Sequence, residues 1–198
     1  MDALLSEIRA CTLCADRFAS TETAHEPRPV LRVSETARIL VAGQAPGMKV
    51  HLSGKPFTDP SGDRLRDWMQ VDQTTFYDAS RIGILPMGFC FPGYRKGSDL
   101  PPPAICAKTW RKRVLGHMPQ IQLTLLIGGY AQKWHLSGFD HPKRNVSDTV
   151  AHWRDYAPGV IPLPHPSWRN TAWLKRNPWF EAELLPVLRT RIQEVLNA

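Results

Sequence analysis

The sequence predicts an α/β fold: three αβα layers in which a central, mostly parallel four-stranded sheet carries helices on both faces. Four short apolar runs rich in branched residues alternate with stretches of helical apolar spacing, the order that builds parallel sheets. Two of the runs, Ile39-Leu40-Val41-Ala42 and Val160-Ile161-Pro162-Leu163, end abruptly in Gly/Pro-rich polar loops, as strands do where an open sheet forms its ligand crevice. At 198 residues the chain supports one well-buried core, and a single domain over residues 1–198 is the simplest reading.

The elements follow in chain order. Asp2 to Ala10 is amphipathic and reads as a short helix, and Thr21 to Arg32 as an irregular connector containing prolines. Ala37 to Ala42 is the first strand. Ser61 to Val71 places Leu65, Trp68 and Met69 at helical spacing, with Ser61 and Asp63 supplying N-terminal chemistry. Arg81 to Leu85 is the second strand, and Phe91 to Pro103 a long loop of the kind more often functional than idle. Pro103 to His117 is a helix with proline tolerated at its start. Leu123 to Ile127 is a very apolar third strand, Gly129 to Leu136 a helix, Gly159 to Leu163 the fourth strand, and Pro178 to Leu196 a long terminal helix. Trp68 and Trp110 belong to the core.

Composition narrows the function classes. No apolar run approaches the roughly 18 residues needed to span a bilayer. The N-terminus lacks a basic segment followed by an apolar one, so a cytoplasmic protein is expected. The formal charge of +7 favours a polyanionic partner, because Lys and Arg gain affinity by displacing counterions from phosphates. Several of the seven tryptophans lie among basic residues in the last third, a surface able to stack on bases.

Three groups of residues carry chemistry. Cys11 and Cys14 form a C-x-x-C, and Cys90 and Cys106 bracket the long Pro/Gly-rich loop. In a cytoplasmic protein such a set means metal ligation, redox chemistry or buried thiols rather than disulfides. Next, Gly43-Gln44-Ala45-Pro46-Gly47 is followed by Ser53-Gly54-Lys55-Pro56-Phe57-Thr58-Asp59, with His51 in the intervening loop. Gln44 can orient a water but cannot take its proton, and Asp59 reads equally as a water-activating carboxylate or as the cap of the helix near Ser61. Last, Pro164-His165-Pro166-Ser167-Trp168-Arg169-Asn170 fixes the imidazole of His165 between two prolines at a strand end. His25, His117, His135, His141 and His152 have no comparable context.

These motifs resemble those of the uracil-DNA glycosylase superfamily, and family 4 most of all, over nearly the whole chain from Cys11 to the terminal helix. The first motif resembles a G-x-A-P-G loop preceding a G-[RK]-P-F segment, and the last resembles the superfamily's H-P-S motif. The resemblance implies a monofunctional enzyme that flips a damaged base out of single- or double-stranded DNA and hydrolyses its glycosidic bond. It further implies that a monomer does this, in base excision repair. His165, Gln44 and Asp59 would be catalytic. Gly43, Ala45, Pro46, Gly47, His51, Phe57, Ser167 and Asn170 would bind substrate, with Trp168 or Arg169 as the wedge that fills the vacated stack. Cys11, Cys14, Cys90 and Cys106 would hold a [4Fe–4S] cluster, zinc or no metal being the alternatives.

The chain departs from the pattern at two places. Gln44 stands where family 4 members have Glu, and Ala45 where the best-known family 1 enzymes have a catalytic Asp. Pro86 stands where family 4 has an Asn that reads the uracil edge, which opens the way to a different base or a readout by backbone groups. A DNA-binding or lesion-sensing protein on the same fold is the first rival reading, and a hydrolase of small nucleotides or nucleosides the second.

Overall fold

The computed structural model describes residues 1–139 and 145–198; His141 lies outside the described residues. Among the described residues there are six strands: β1 (Ile39–Ala42), β2 (Ile82–Ile84), β3 (Tyr94–Arg95), β4 (Ser98–Asp99), β5 (Leu123–Ile127) and β6 (Val160–Leu163). Four of them form one parallel sheet in the order β2-β1-β5-β6, and β3 and β4 form a separate hairpin. Within the sheet Val41 lies between Ile84 and Leu125, and Ile127 is in register with Leu163. Pro162 offers no backbone donor, and its position on the edge strand β6 is where a sheet tolerates that loss.

Every residue of β1 and β5 is buried. Alternation along the strands sends Ile39 and Val41 into one core, with Leu125, Ile161, Trp68 and Phe180, and Leu40 into another, with Ile8, Leu85, Trp110 and Val114. Helices cover both faces, which is why the strands read as unbroken apolar runs. The N-terminal helix Asp2–Arg9 buries Leu4 and Ile8, one turn apart. The terminal helix Leu185–Asn197 buries Leu185, Leu188, Ile192 and Val195 after a π-helical turn at Phe180–Leu184. The helix expected over 103–117 is also interrupted, since Ala104–Cys106 runs through a π-helical turn, Ala107–Arg111, into Lys112–Gly116.

The structure adds elements that periodicity did not predict. Short helices occupy Ala15–Ala19, Met48–Ser53, Gln73–Tyr77 and Val146–Ala151, each too brief for a 3.6-residue pattern to register. The loop expected over 91–103 contains the β3–β4 hairpin. Its two-residue turn, Lys96-Gly97, has positive φ at both positions (52° and 73°), the backbone twist that closes a tight hairpin. Among the described residues no helix is long and apolar enough to cross a membrane.

Candidate active site

β1 and β6 deliver their motif loops to the same end of the sheet, where a cleft of about 120 Å³ opens. One wall is Gly43 to Gly47, leaving β1. A second is Pro56, Phe57, Asp59 and Ser61. Ile84 and Pro86 close it from the end of β2, Asp99 enters from the hairpin, and His165 from the loop after β6. The loops at β1 and β2 are stitched together: the backbone N–H groups of Leu85, Met87 and Gly88 donate to the carbonyls of Val41, Gly43 and Gln44 at 3.0, 2.8 and 2.9 Å.

Each wall has a local cause. Phe57 sits at φ 55°, a left-handed conformation that costs free energy for a bulky residue. Its carbonyl accepts from the Tyr77 hydroxyl at 3.0 Å and from Arg66 at 3.3 Å, and its ring meets Phe76 edge-on at 5.9 Å. Gly62 makes room for it: a Cβ there would lie 1.9 Å from the Phe57 carbonyl oxygen. Asp59 caps the helix Pro60–Met69, its carboxylate accepting from the Ser61 hydroxyl at 2.6 Å and from the Gly62 N–H at 3.3 Å. Gly128, at φ 78°, turns the chain out of β5 directly beneath His165.

His165 is held by its own loop. Its carbonyl accepts from the Asn170 side chain at 2.7 Å, and Arg64 donates to the Ser167 carbonyl at 3.0 Å. Burial pushes the imidazole pKa below its ordinary value, against a partial pull upward from Asp59 and Asp99, so the ring is neutral at neutral pH. Asp99 shows the opposite sign. Its residue surface is exposed, but its carboxyl is desolvated on the cleft side. That burial raises its pKa, with Arg169 and His165 working in the other direction.

The structure therefore brings Gly43, Gln44, Ala45, Pro46, Gly47, Phe57, Asp59 and His165 to one cleft. Ser167, Trp168, Arg169 and Asn170 follow His165 on the same loop but are not in the lining, and Trp168 is 75% exposed. His51 is not in the lining. It lies on the helix Met48–Ser53 with its ring against His25 at 5.0 Å and Phe91 at 5.9 Å, and burial lowers its pKa. Asp99 was not anticipated; the one sequence signal for it was the Lys96-Gly97 turn that places it at a strand end. The backbone readout opened by Pro86 finds no free N–H donor in residues 85–89. Those of Leu85, Met87 and Gly88 are bonded to the β1 segment, and that of Phe89 donates to the Cys106 sulfur at 3.3 Å.

The four cysteines line a second, largely apolar cavity of about 20 Å³, together with Ile8, Phe18, Phe89 and Trp110. All four thiols are free. Burial, then the neighbouring Cys106, pushes Cys90 up to about 12. Burial pushes Cys106 up to about 11, against the Phe89 hydrogen bond. Among the described residues no group of three or more His, Cys, Asp or Glu is placed to hold a metal ion as it stands. The donor set nonetheless has the chemistry of a thiolate-bound centre: four sulfurs face one space, and a fully buried cation, Arg111, lies in the electrostatic reach of Cys106 with its Nε unpartnered.

The family model for the uracil DNA glycosylase superfamily matches residues 32–189. The fold is also that of the solution NMR structure of a candidate uracil DNA glycosylase from Methanosarcina acetivorans. It is 17% identical and superposes with a TM-score of 0.50 over 81% of this chain and 94% of that one. With both strand-end motifs opening on one cleft, and with a family match that runs through both of them, this chain belongs to the uracil DNA glycosylase superfamily.

Proposed function

We propose that the chain is a monofunctional DNA glycosylase that hydrolyses the N-glycosidic bond of a flipped, deaminated or otherwise damaged base, in base excision repair and as a monomer. The observation that carries the reading is the juxtaposition of His165, Asp99 and Gln44 in one cleft, with no hydrogen bond to another described side chain engaging any of the three functional groups. The base would enter against Phe57. As the bond from C1′ to the base nitrogen breaks, the electron pair leaves with the base, and neutral His165 donates a hydrogen bond to the carbonyl oxygen where negative charge develops. Gln44 orients a water whose oxygen bonds to C1′, and Asp99 accepts the proton that water loses. The raised pKa of Asp99 suits a base, whereas one oxygen of Asp59, Oδ1, already accepts both of its cap bonds. Among the described residues no lysine lines the cleft, so no Schiff-base step is assigned.

Trp168 and Arg169 would fill the gap left by the flipped nucleotide, their loop braced by Arg64 and Asn170. Cys11, Cys14, Cys90 and Cys106 would hold a [4Fe–4S] cluster, zinc being the alternative. The cluster would serve as a cross-link between the N-terminal segment and the sheet. The direct test is a panel of oligonucleotides carrying different deaminated bases: abasic sites should appear in at least one member. A lesion-sensing protein that performs no chemistry is the second reading, favoured by Gln44 at the usual carboxylate position. Tight lesion binding with no base released from any substrate would establish it.

A further inference from the structure

We propose that Arg111 is a positioning residue for base selection, holding the Pro86 wall of the cleft from behind and tying it to the four-cysteine cavity. The inference rests on the glycosylase reading above. Arg111 is completely buried. Its Nη1 donates to two consecutive carbonyls, Leu85 and Pro86, both at 2.8 Å, and its Nη2 donates to His135 Nε2 at 2.6 Å. The guanidinium also lies over the Trp134 ring at 4.8 Å. Since Nη2 is a donor, the His135 nitrogen it meets is the bare one, and burial with the adjacent cation pushes that imidazole down to about 3.

Nothing acidic pairs with Arg111 among the described residues, and an unpaired buried cation is a poor device for stability alone. Its geometry serves a different end. Pro86 faces the cleft but has neither a polar side chain nor an N–H, so only its carbonyl and its neighbours can fix it. From the front, the N–H groups of Leu85 and Met87 bond to β1; from behind, Arg111 takes the carbonyls. The same helical stretch grips the far end of the segment, where the Cys106 sulfur accepts from the Phe89 N–H at 3.3 Å. Residues 85–89 are thus held at both ends by one helical stretch that carries a cysteine of the second cavity. Displacement of Cys106 moves the wall that the base must fit.

The test measures binding of a duplex carrying one 2′-fluoro-2′-deoxynucleotide of the base released fastest in the panel, against the same duplex undamaged. Arg111→Met should lower the preference for the lesion about tenfold, the equivalent of one good hydrogen bond, with affinity for undamaged DNA unchanged. Arg111→Lys should recover part of the loss, and His135→Phe should fall between wild type and Arg111→Met. Cys106→Ala should lower the preference in the wild type but add nothing in the Arg111→Met background. Equal losses on both duplexes, or wild-type preference in Arg111→Met, would overturn the inference while leaving the glycosylase reading intact. A wild type with no lesion preference overturns the inference alone, whereas a panel from which no base is released overturns the glycosylase reading.

Discussion

The replacement of Asp99 by Asn separates the two carboxylates of the cleft. A positioned general base contributes about 10²–10⁴ in rate, so Asp99→Asn should slow single-turnover base release by that factor, about 3–5 kcal/mol in the barrier. Stability should move the other way. Burial raises the pKa of Asp99 in the folded chain above its unfolded value, so the folded state binds its proton more tightly. Stability is therefore lost as pH rises through that interval, and at neutral pH Asn removes a small cost: the melting temperature should hold or rise. The rate profile has a matching sign. Wild-type release should fall as pH drops through the raised pKa of Asp99, and Asp99→Asn should be slow but flat there. Asp59→Asn is the control. Asn is as good an N-cap as Asp, so both the Gly62 N–H and the Ser61 hydroxyl keep an acceptor, and rate and melting temperature should change little. A wild-type rate in Asp99→Asn, or a collapse in Asp59→Asn at unchanged melting temperature, would refute the assignment.

Further outcomes follow from the same geometry. His165→Ala should lower single-turnover release by about 10²–10³, the loss of one donor aimed at developing negative charge. Trp168→Ala and Arg169→Ala should weaken lesion-containing duplex more than undamaged duplex, while the affinity of the wild type for either falls with a log–log salt slope of several units. Purified protein should be yellow-brown with broad absorbance near about 400 nm, and Cys90→Ser should lose colour and melting temperature together; stoichiometric zinc without iron would assign the centre differently. Gly62→Ala should destabilise by at least about 1–3 kcal/mol in thermal unfolding, since its Cβ has no space beside the Phe57 carbonyl.

Where each strand of the main sheet lies, and which loops leave it at the ligand end, was legible in the sequence. Parallel strands buried on both faces need continuous apolar runs, and Ile39–Ala42 and Leu123–Ile127 show them as local composition. His165 and Gln44 were legible for a related reason: glycine and proline at a strand end fix where the next side chains go. Asp99 and Arg111 were not. Asp99 acquires meaning only because a short hairpin folds over the cleft, and the burial of its carboxyl comes from walls distant in sequence. Arg111 reads as an ordinary surface cation on a basic helix, Lys108 to Arg113; the tertiary structure turns it inward, where the carbonyls of Leu85 and Pro86 receive it. Asp59 lay between the two cases, since a cap and a catalytic carboxylate need the same residue at the same place, and only the Ser61 and Gly62 bonds show how it is engaged. Local pattern determines where the backbone runs and which motifs it presents. Desolvation and charge at a site depend on what else packs there, and only the assembled fold decides that.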